Sequence, residues 1–201
     1  MRIEYHEATA IARLPGVKPG RPMCLDDWHK LAWRLFCGGK NRYQGRRPFV
    51  FRIHPLDAER MFILVRSERA FAHAQPRWLD IEAGQRVVAD LCYVPARRPG
   101  GGGRAEITPR SERWPEIERH TLARAGVEVE SASRSSLMGY FKLYAEKSAL
   151  LPVVHASRSG KVADEAAFAQ AFLHGIGRKR GYGMGTIMLP APEAQASRVA
   201  A

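Results

Sequence analysis

Two stretches carry the residue types best suited to chemistry. One is Trp28-His29-Lys30, and the other is Gly175-Ile176-Gly177-Arg178-Lys179-Arg180-Gly181-Tyr182-Gly183-Met184-Gly185. An unperturbed imidazole titrates at about pH 6.5, so His29 can take a proton from a hydroxyl and return one to a departing oxygen. That suits RNA cleavage, in which a ribose 2′-OH attacks the neighbouring phosphate and a 5′ oxygen leaves. A histidine on a helix is more often a surface or core-edge residue, so the assignment needs support from elsewhere in the chain. The glycine run, with its three consecutive cations, can bring bare backbone N–H groups and positive side chains against phosphate oxygens. It is neither a dinucleotide fingerprint nor a P-loop, because it follows a helical segment and contains no Gly-Lys-Ser/Thr.

The charge balance points the same way. Over 201 residues, 32 Lys and Arg against 20 Asp and Glu give a net charge of +12, which fits a polyanionic partner better than a small metabolite. Lys40, Arg42, Arg46, Arg47 and Arg52 lie among Tyr43, Phe49 and Phe51 without an intervening acid, and Arg97, Arg98, Arg104, Arg110 and Arg113 surround a central run of glycines. Arginine forks bridge phosphates and stack on bases, and Arg158 and Lys161 are further candidate RNA contacts. Asp26 and Asp27 are adjacent, diverge on a helix, and read as N-terminal capping residues. The histidines form no HExxH and the three cysteines no CxxC, so neither a metal nor any other cofactor is expected. Free thiols, the lack of a signal-peptide core and the lack of an 18-residue apolar run lead to a cytoplasmic expectation.

Positioning these residues falls to a chain that is 45% hydrophobic and 26% charged, ordinary for a packed globular protein. Alternation predicts a strand over Arg2–Ile11, and Trp28, Leu31, Ala32 and Leu35 recur at helical spacing over Leu25–Phe36. Pro48–His54 and Arg60–Arg66 read as a hairpin, Ser67–Gln75 as a weak helix and Gln85–Val94 as a strand. After Pro95–Gly103, Trp114–Ala125 reads as a helix, Leu137–Tyr144 and Leu150–Ala156 as strands, Ala163–His174 as a helix and Met184–Leu189 as a last strand. The expected class is α+β: two tandem ferredoxin-like (βαββαβ, RRM-like) domains over 1–95 and 111–201, joined by a Gly/Arg-rich connection at 96–110.

Three segments, LDDWHKLAWRLF, RRPFVFRI and HGIGRKRGYGMGTIML, together resemble the CRISPR-associated repeat-processing endoribonucleases, specifically the CasE branch of the type I-E systems. That resemblance implies metal-independent cleavage of precursor CRISPR RNA 3′ of a stem-loop, leaving 2′,3′-cyclic phosphate and 5′-OH ends. It implies retention of the hairpin within an interference complex, and it places the general acid/base on His29. Lys30 and Arg34 are candidates to neutralise the phosphate in the transition state, and Gly177, Arg178, Lys179 and Arg180 to grip the RNA backbone. The family's tyrosine three residues before the histidine is replaced here by Asp26, which accepts but cannot donate a hydrogen bond when ionised. Two alternatives stay open: a subunit that binds the hairpin without cutting it, and the equivalent processing enzyme of a type IV system.

Overall fold

The structure, a computed structural model, describes residues 1–13, 24–38, 47–57, 60–95, 108, 110–130, 135–144 and 150–189. The expected contacts Lys40, Arg42, Arg46, Arg97, Arg98 and Arg104 lie outside them. The described elements are β1 (Arg2–Arg13), α1 (Leu25–Phe36), β2 (Phe49–Pro55), β3 (Arg60–Ser67), β4 (Gln75–Asp80), β5 (Arg86–Tyr93), α2 (Trp114–Ala123), β6 (Val127–Val129), β7 (Ser135–Lys142), β8 (Leu150–Val162) and α3 (Glu165–His174). They form two four-stranded antiparallel sheets with α1 against the first. The first has the order β2-β3-β1-β4, and in the second β8 pairs β5 on one edge and β6 and β7 on the other. Among the described residues no helix is long and apolar enough to cross a membrane.

The first sheet follows its expected hairpin and adds one unexpected strand. β2 and β3 pair from Phe49 opposite Ser67 to Pro55 opposite Met61. The segment after β3, rich in Ala and expected as a helix, instead leads directly into β4 on the far side of β1. A short helix depends on burying an apolar face, and residues 68–74 offer mainly Phe71, which meets Phe36 at 4.9 Å between ring centroids. Helix α1 does have such a face. Leu25, Trp28 and Ala32 are buried with Phe49, Phe51, Ile53, Met61, Ile63 and Val65.

The strand over Arg86–Tyr93 forms as expected but joins the second sheet, pairing with β8 from Arg86 opposite Lys161 to Tyr93 opposite Val154. Both of its faces carry buried apolar residues. Val87, Ala89, Leu91 and Tyr93 belong to the core of the second sheet, while Cys92 and its neighbour Val94 belong to the core under α1. An apolar run buried on both sides reads as a strand without naming its sheet. The change of sheet therefore falls between β4 and β5, ahead of the connection that was expected to divide the chain. The last expected strand shrinks to a single bridge, Met188 opposite Asp90.

The structure also corrects one candidate RNA contact. Arg158 is only 4% exposed and is paired with Glu118, itself 1% exposed. Ser135 Oγ donates to the same carboxylate at 2.8 Å, and Tyr93 donates its hydroxyl to it. On the long strand β8 alternate residues face inward, and the guanidinium at position 158 is stabilised there by a buried counter-charge instead of by solvent. Glu118→Gln removes half of this pair and leaves a buried, uncompensated guanidinium. It should cost about 3–5 kcal/mol, read as a lower midpoint in urea unfolding, and an unchanged midpoint would show that the pair contributes nothing.

Candidate nucleic-acid interface

His29 lies on the partly exposed side of α1, and the helix start is fixed before the histidine is reached. The N-cap is Cys24 and not either aspartate. Asp27 reaches back to the Cys24 backbone N–H at 3.4 Å and accepts from the Cys24 thiol at 3.0 Å. Asp26 N–H donates to the carbonyl of Leu143 at 3.1 Å, and Cys24 bridges Lys142, so the helix start is tied to the end of β7 in the second sheet. Trp28 meets Phe141 edge-on at 5.1 Å.

The imidazole is held at both nitrogens. Nδ1 lies 2.5 Å from the carbonyl oxygen of Gly181, and Nε2 accepts from Trp33 Nε1–H at 3.0 Å. A carbonyl can only accept and an indole N–H can only donate, so the pair selects the neutral tautomer with the proton on Nδ1. The ring of Tyr182 lies 5.6 Å away at 47°. The hydroxyl of Tyr182 is 2.9 Å from that of Tyr144, which follows β7. Burial, the Tyr144 hydroxyl and the Asp26 carboxylate all push the Tyr182 phenol up from its ordinary range.

The glycine segment that supplies Gly181 is pressed onto β2 and β5. Gly185 N–H donates to Cys92 O at 2.7 Å, Ile176 N–H to Gly185 O at 2.8 Å, and Thr186 Oγ to Phe51 O at 2.6 Å. Gly183 and Gly185 have φ of +84° and +72°. A Cβ at 183 would stand 2.8 Å from the Phe51 ring, and one at 185 would overlap the Ile176 carbonyl. Arg47 braces the segment from the other side. Its guanidinium lies 5.5 Å over Phe49 and 5.8 Å over Phe51 and donates to the Arg180 carbonyl. Burial, followed by the nearby Arg180, lowers its pKa to about 10, so it stays charged at neutral pH.

The remaining expected residues divide by position. Lys30 is exposed on the turn after His29 and pairs with Asp26 at 2.7 Å, which raises its pKa. Arg34 is exposed one turn further along. Gly177, Arg178, Lys179 and Arg180 lie on the same segment as Gly181, and Arg180 reaches back to the carbonyls of His174 and Gly175 at 3.4 and 3.3 Å. Arg178 and Arg180 also line an open groove of about 860 Å³ with Arg124, Gln170 and His174. Arg110 and Arg113 lie at the start of α2, with Arg113 paired to Glu116 at 3.1 Å, and Lys161 pairs with Glu130 at 2.8 Å. Hydrogen bonds bring His29 and Arg47 onto the glycine segment, Lys30 and Arg34 share the helix of His29, and Arg110, Arg113 and Lys161 stand at the start of α2 and on β8. Sequence reasoning passed over Trp33, Tyr144, Tyr182 and Arg124. Of these, Tyr182 carried a signal, being an aromatic inside the glycine run.

No protein-family model and no curated protein matches the chain by sequence. Solved structures do match by fold. Thermus thermophilus Cse3 bound to an RNA representing a pre-cleavage complex aligns at a TM-score of 0.69 and 16% identity, over 94% of this chain and 100% of that one. The fold is that of Cse3. Cas6e from Escherichia coli K-12 aligns at 0.64 and 16% identity, over 93% and 98% of the two chains. A chain of a CRISPR RNA-guided surveillance complex in a pre-nicking state aligns at 0.59 and 22%, over 92% and 98%. The Cse3 and Cas6e likeness spans both sheets, in keeping with the expected tandem ferredoxin-like α+β architecture.

Gly185→Ala adds a Cβ that the Ile176 carbonyl does not accommodate, whereas Gly84→Ala, at φ +81°, meets nothing within 4 Å. Both bear a positive-φ cost of about 1–3 kcal/mol. Gly185→Ala should melt several degrees below Gly84→Ala and lose the His29 Nδ1–H signal in NMR. Equal melting temperatures would show that the glycine segment is not tightly seated.

Proposed function

We propose that this chain is a CasE-type endoribonuclease. In this reading it cuts precursor CRISPR RNA within its repeats, 3′ of a stem-loop, and remains on the product hairpin as a cytoplasmic subunit of an interference complex. The observation that carries the proposal is the imidazole of His29, oriented at Nδ1 by the Gly181 carbonyl of a cationic, glycine-rich segment and at Nε2 by the Trp33 N–H. Similar structures, of Cse3 bound to RNA and of a CRISPR RNA-guided surveillance complex, add support from the fold.

The chemistry follows from the tautomer. With its proton on Nδ1 and directed at Gly181, His29 presents Nε2 as the basic atom. The substrate 2′-OH takes the place of the Trp33 N–H on Nε2 and gives up its proton as O2′ attacks phosphorus. The P–O5′ bond breaks, and the imidazolium returns the proton to O5′. The products are a 2′,3′-cyclic phosphate and a 5′-OH, and His29 ends in the form in which it began. Lys30 and Arg34 lie on the same helix to offset charge on the phosphorane, while Arg178 and Lys179 hold the flanking backbone. Arg110, Arg113 and Lys161 extend the cationic surface available to the stem. Because A-form stems hide their major-groove base edges, affinity rests mainly on phosphate contacts and falls steeply with salt.

The occupation of Nε2 by Trp33 also fits a subunit that holds the hairpin without cutting it, and one assay separates the two readings. Incubated with its cognate repeat RNA in EDTA, the natural protein should yield a cyclic-phosphate product. His29→Ala should lose about 10²–10⁴-fold in rate while still binding the hairpin. A requirement for magnesium, or cleavage untouched by His29→Ala, would remove the mechanism. Binding without any product would leave the non-cutting reading in its place.

A further inference from the structure

We infer that Tyr182 supplies a hydrogen bond to a non-bridging oxygen of the scissile phosphate while His29 moves the proton. The inference rests on the endoribonuclease reading above and adds a residue that the helix of His29 does not provide.

Tyr182 follows directly on Gly181, whose carbonyl fixes His29, so one backbone segment sets both rings. Their centroids are 5.6 Å apart and tilted by 47°, which lets both side chains face one phosphodiester. The position of the phenol is set a second time by Tyr144, at 2.9 Å between hydroxyls with the rings crossing at 88°. When Tyr144 is the donor in that bond, Tyr182 keeps its own proton for a third oxygen. On the first turn of α1, Asp26 can only accept and already holds Lys30 at 2.7 Å, so the phenol adds a neutral donor to the cations of that helix.

The step balances. O2′–P forms and P–O5′ breaks, and the 2′ proton passes through His29 to O5′. Tyr182 donates a hydrogen bond throughout without losing its proton. The surroundings favour this, because burial, Tyr144 and Asp26 all keep the phenol neutral at working pH. Charge gathering on the phosphorane oxygens strengthens the bond in the transition state more than in the ground state, which is the condition for acceleration.

The test is single-turnover cleavage of the cognate repeat hairpin by saturating full-length protein. Tyr182→Phe should slow cleavage about 100-fold, as loss of one oxyanion donor does, with RNA affinity changed by less than about twofold. Sulfur at one non-bridging position of the scissile phosphate should slow the natural protein and leave Tyr182→Phe without further loss. Tyr144→Phe should slow cleavage less and keep the sulfur effect. Cleavage by Tyr182→Phe at the natural rate would overturn the inference. So would a slow Tyr182→Phe that retains the full sulfur effect, since its phenol would then only support the loop. Should Tyr182→Phe melt early, the sulfur effect measured on its folded fraction still decides. Unimpaired His29→Ala would instead strike the endoribonuclease reading itself.

Discussion

One hydrogen bond, from Nδ1 of His29 to the carbonyl of Gly181, joins a helix packed on the first sheet to a loop seated on both. It spans 152 positions of sequence, so it forms only if both sheets and their seam are correctly built. Its chemical effect is local. It fixes the tautomer, leaves Nε2 as the basic atom, and sets the ring beside a phenol and a set of cations. Much of the support around it serves this one placement. The thiol and carboxylate at the start of α1 fix the helix, Arg47 props the Arg180 carbonyl, and glycines at 183 and 185 let the segment lie against Phe51 and Ile176.

The seam between the sheets explains why the segment can be held so closely. β5 contributes to both cores. Cys92 faces the cluster under α1 and accepts the Gly185 N–H through its carbonyl, while Leu91 and Tyr93 face the second core. Two charged contacts cross the same region. Arg52 on β2 pairs with Asp90 on β5 at 2.9 Å, and Arg66 on β3 donates to the Ile187 carbonyl at 2.9 Å with Phe172 against its guanidinium. Burial acts to raise the Asp90 pKa, but His155 and Arg52 outweigh it and hold the carboxyl below its usual range. Charges desolvated in this way are costly unless paired, so they favour a single relative placement of the sheets.

The excess of basic residues therefore has two roles. Arg52, Arg66 and Arg158 are buried and compensated by acids, and they specify the fold. Arg178, Lys179 and Arg180 on the glycine segment, with Lys30 and Arg34 on α1, are exposed or half-buried and belong to the proposed RNA-binding face. Net charge alone could not divide these populations. A strand arginine turns inward or outward according to its register, and register is a property of the sheet.

Strong local periodicity made α1, the β2–β3 hairpin, α3 and the glycine turn legible in the sequence, because each buries a face that repeats at 3.6 or 2 residues or needs bare glycine backbone. That an imidazole at position 29 is able to move protons was likewise legible, since it depends on residue type. The sequence could not tell that β5 joins the second sheet, that residues 68–74 form bends and a turn and no helix, or that Met184–Leu189 pairs by one bridge, because those outcomes rest on which surfaces meet. Nor could it bring Tyr182 and Tyr144 to His29, or turn Arg158 toward Glu118. The chain by itself determined which groups could move protons and bind phosphates. Folding decided which of them share one site, because contacts between residues far apart in sequence exist only once both cores are closed.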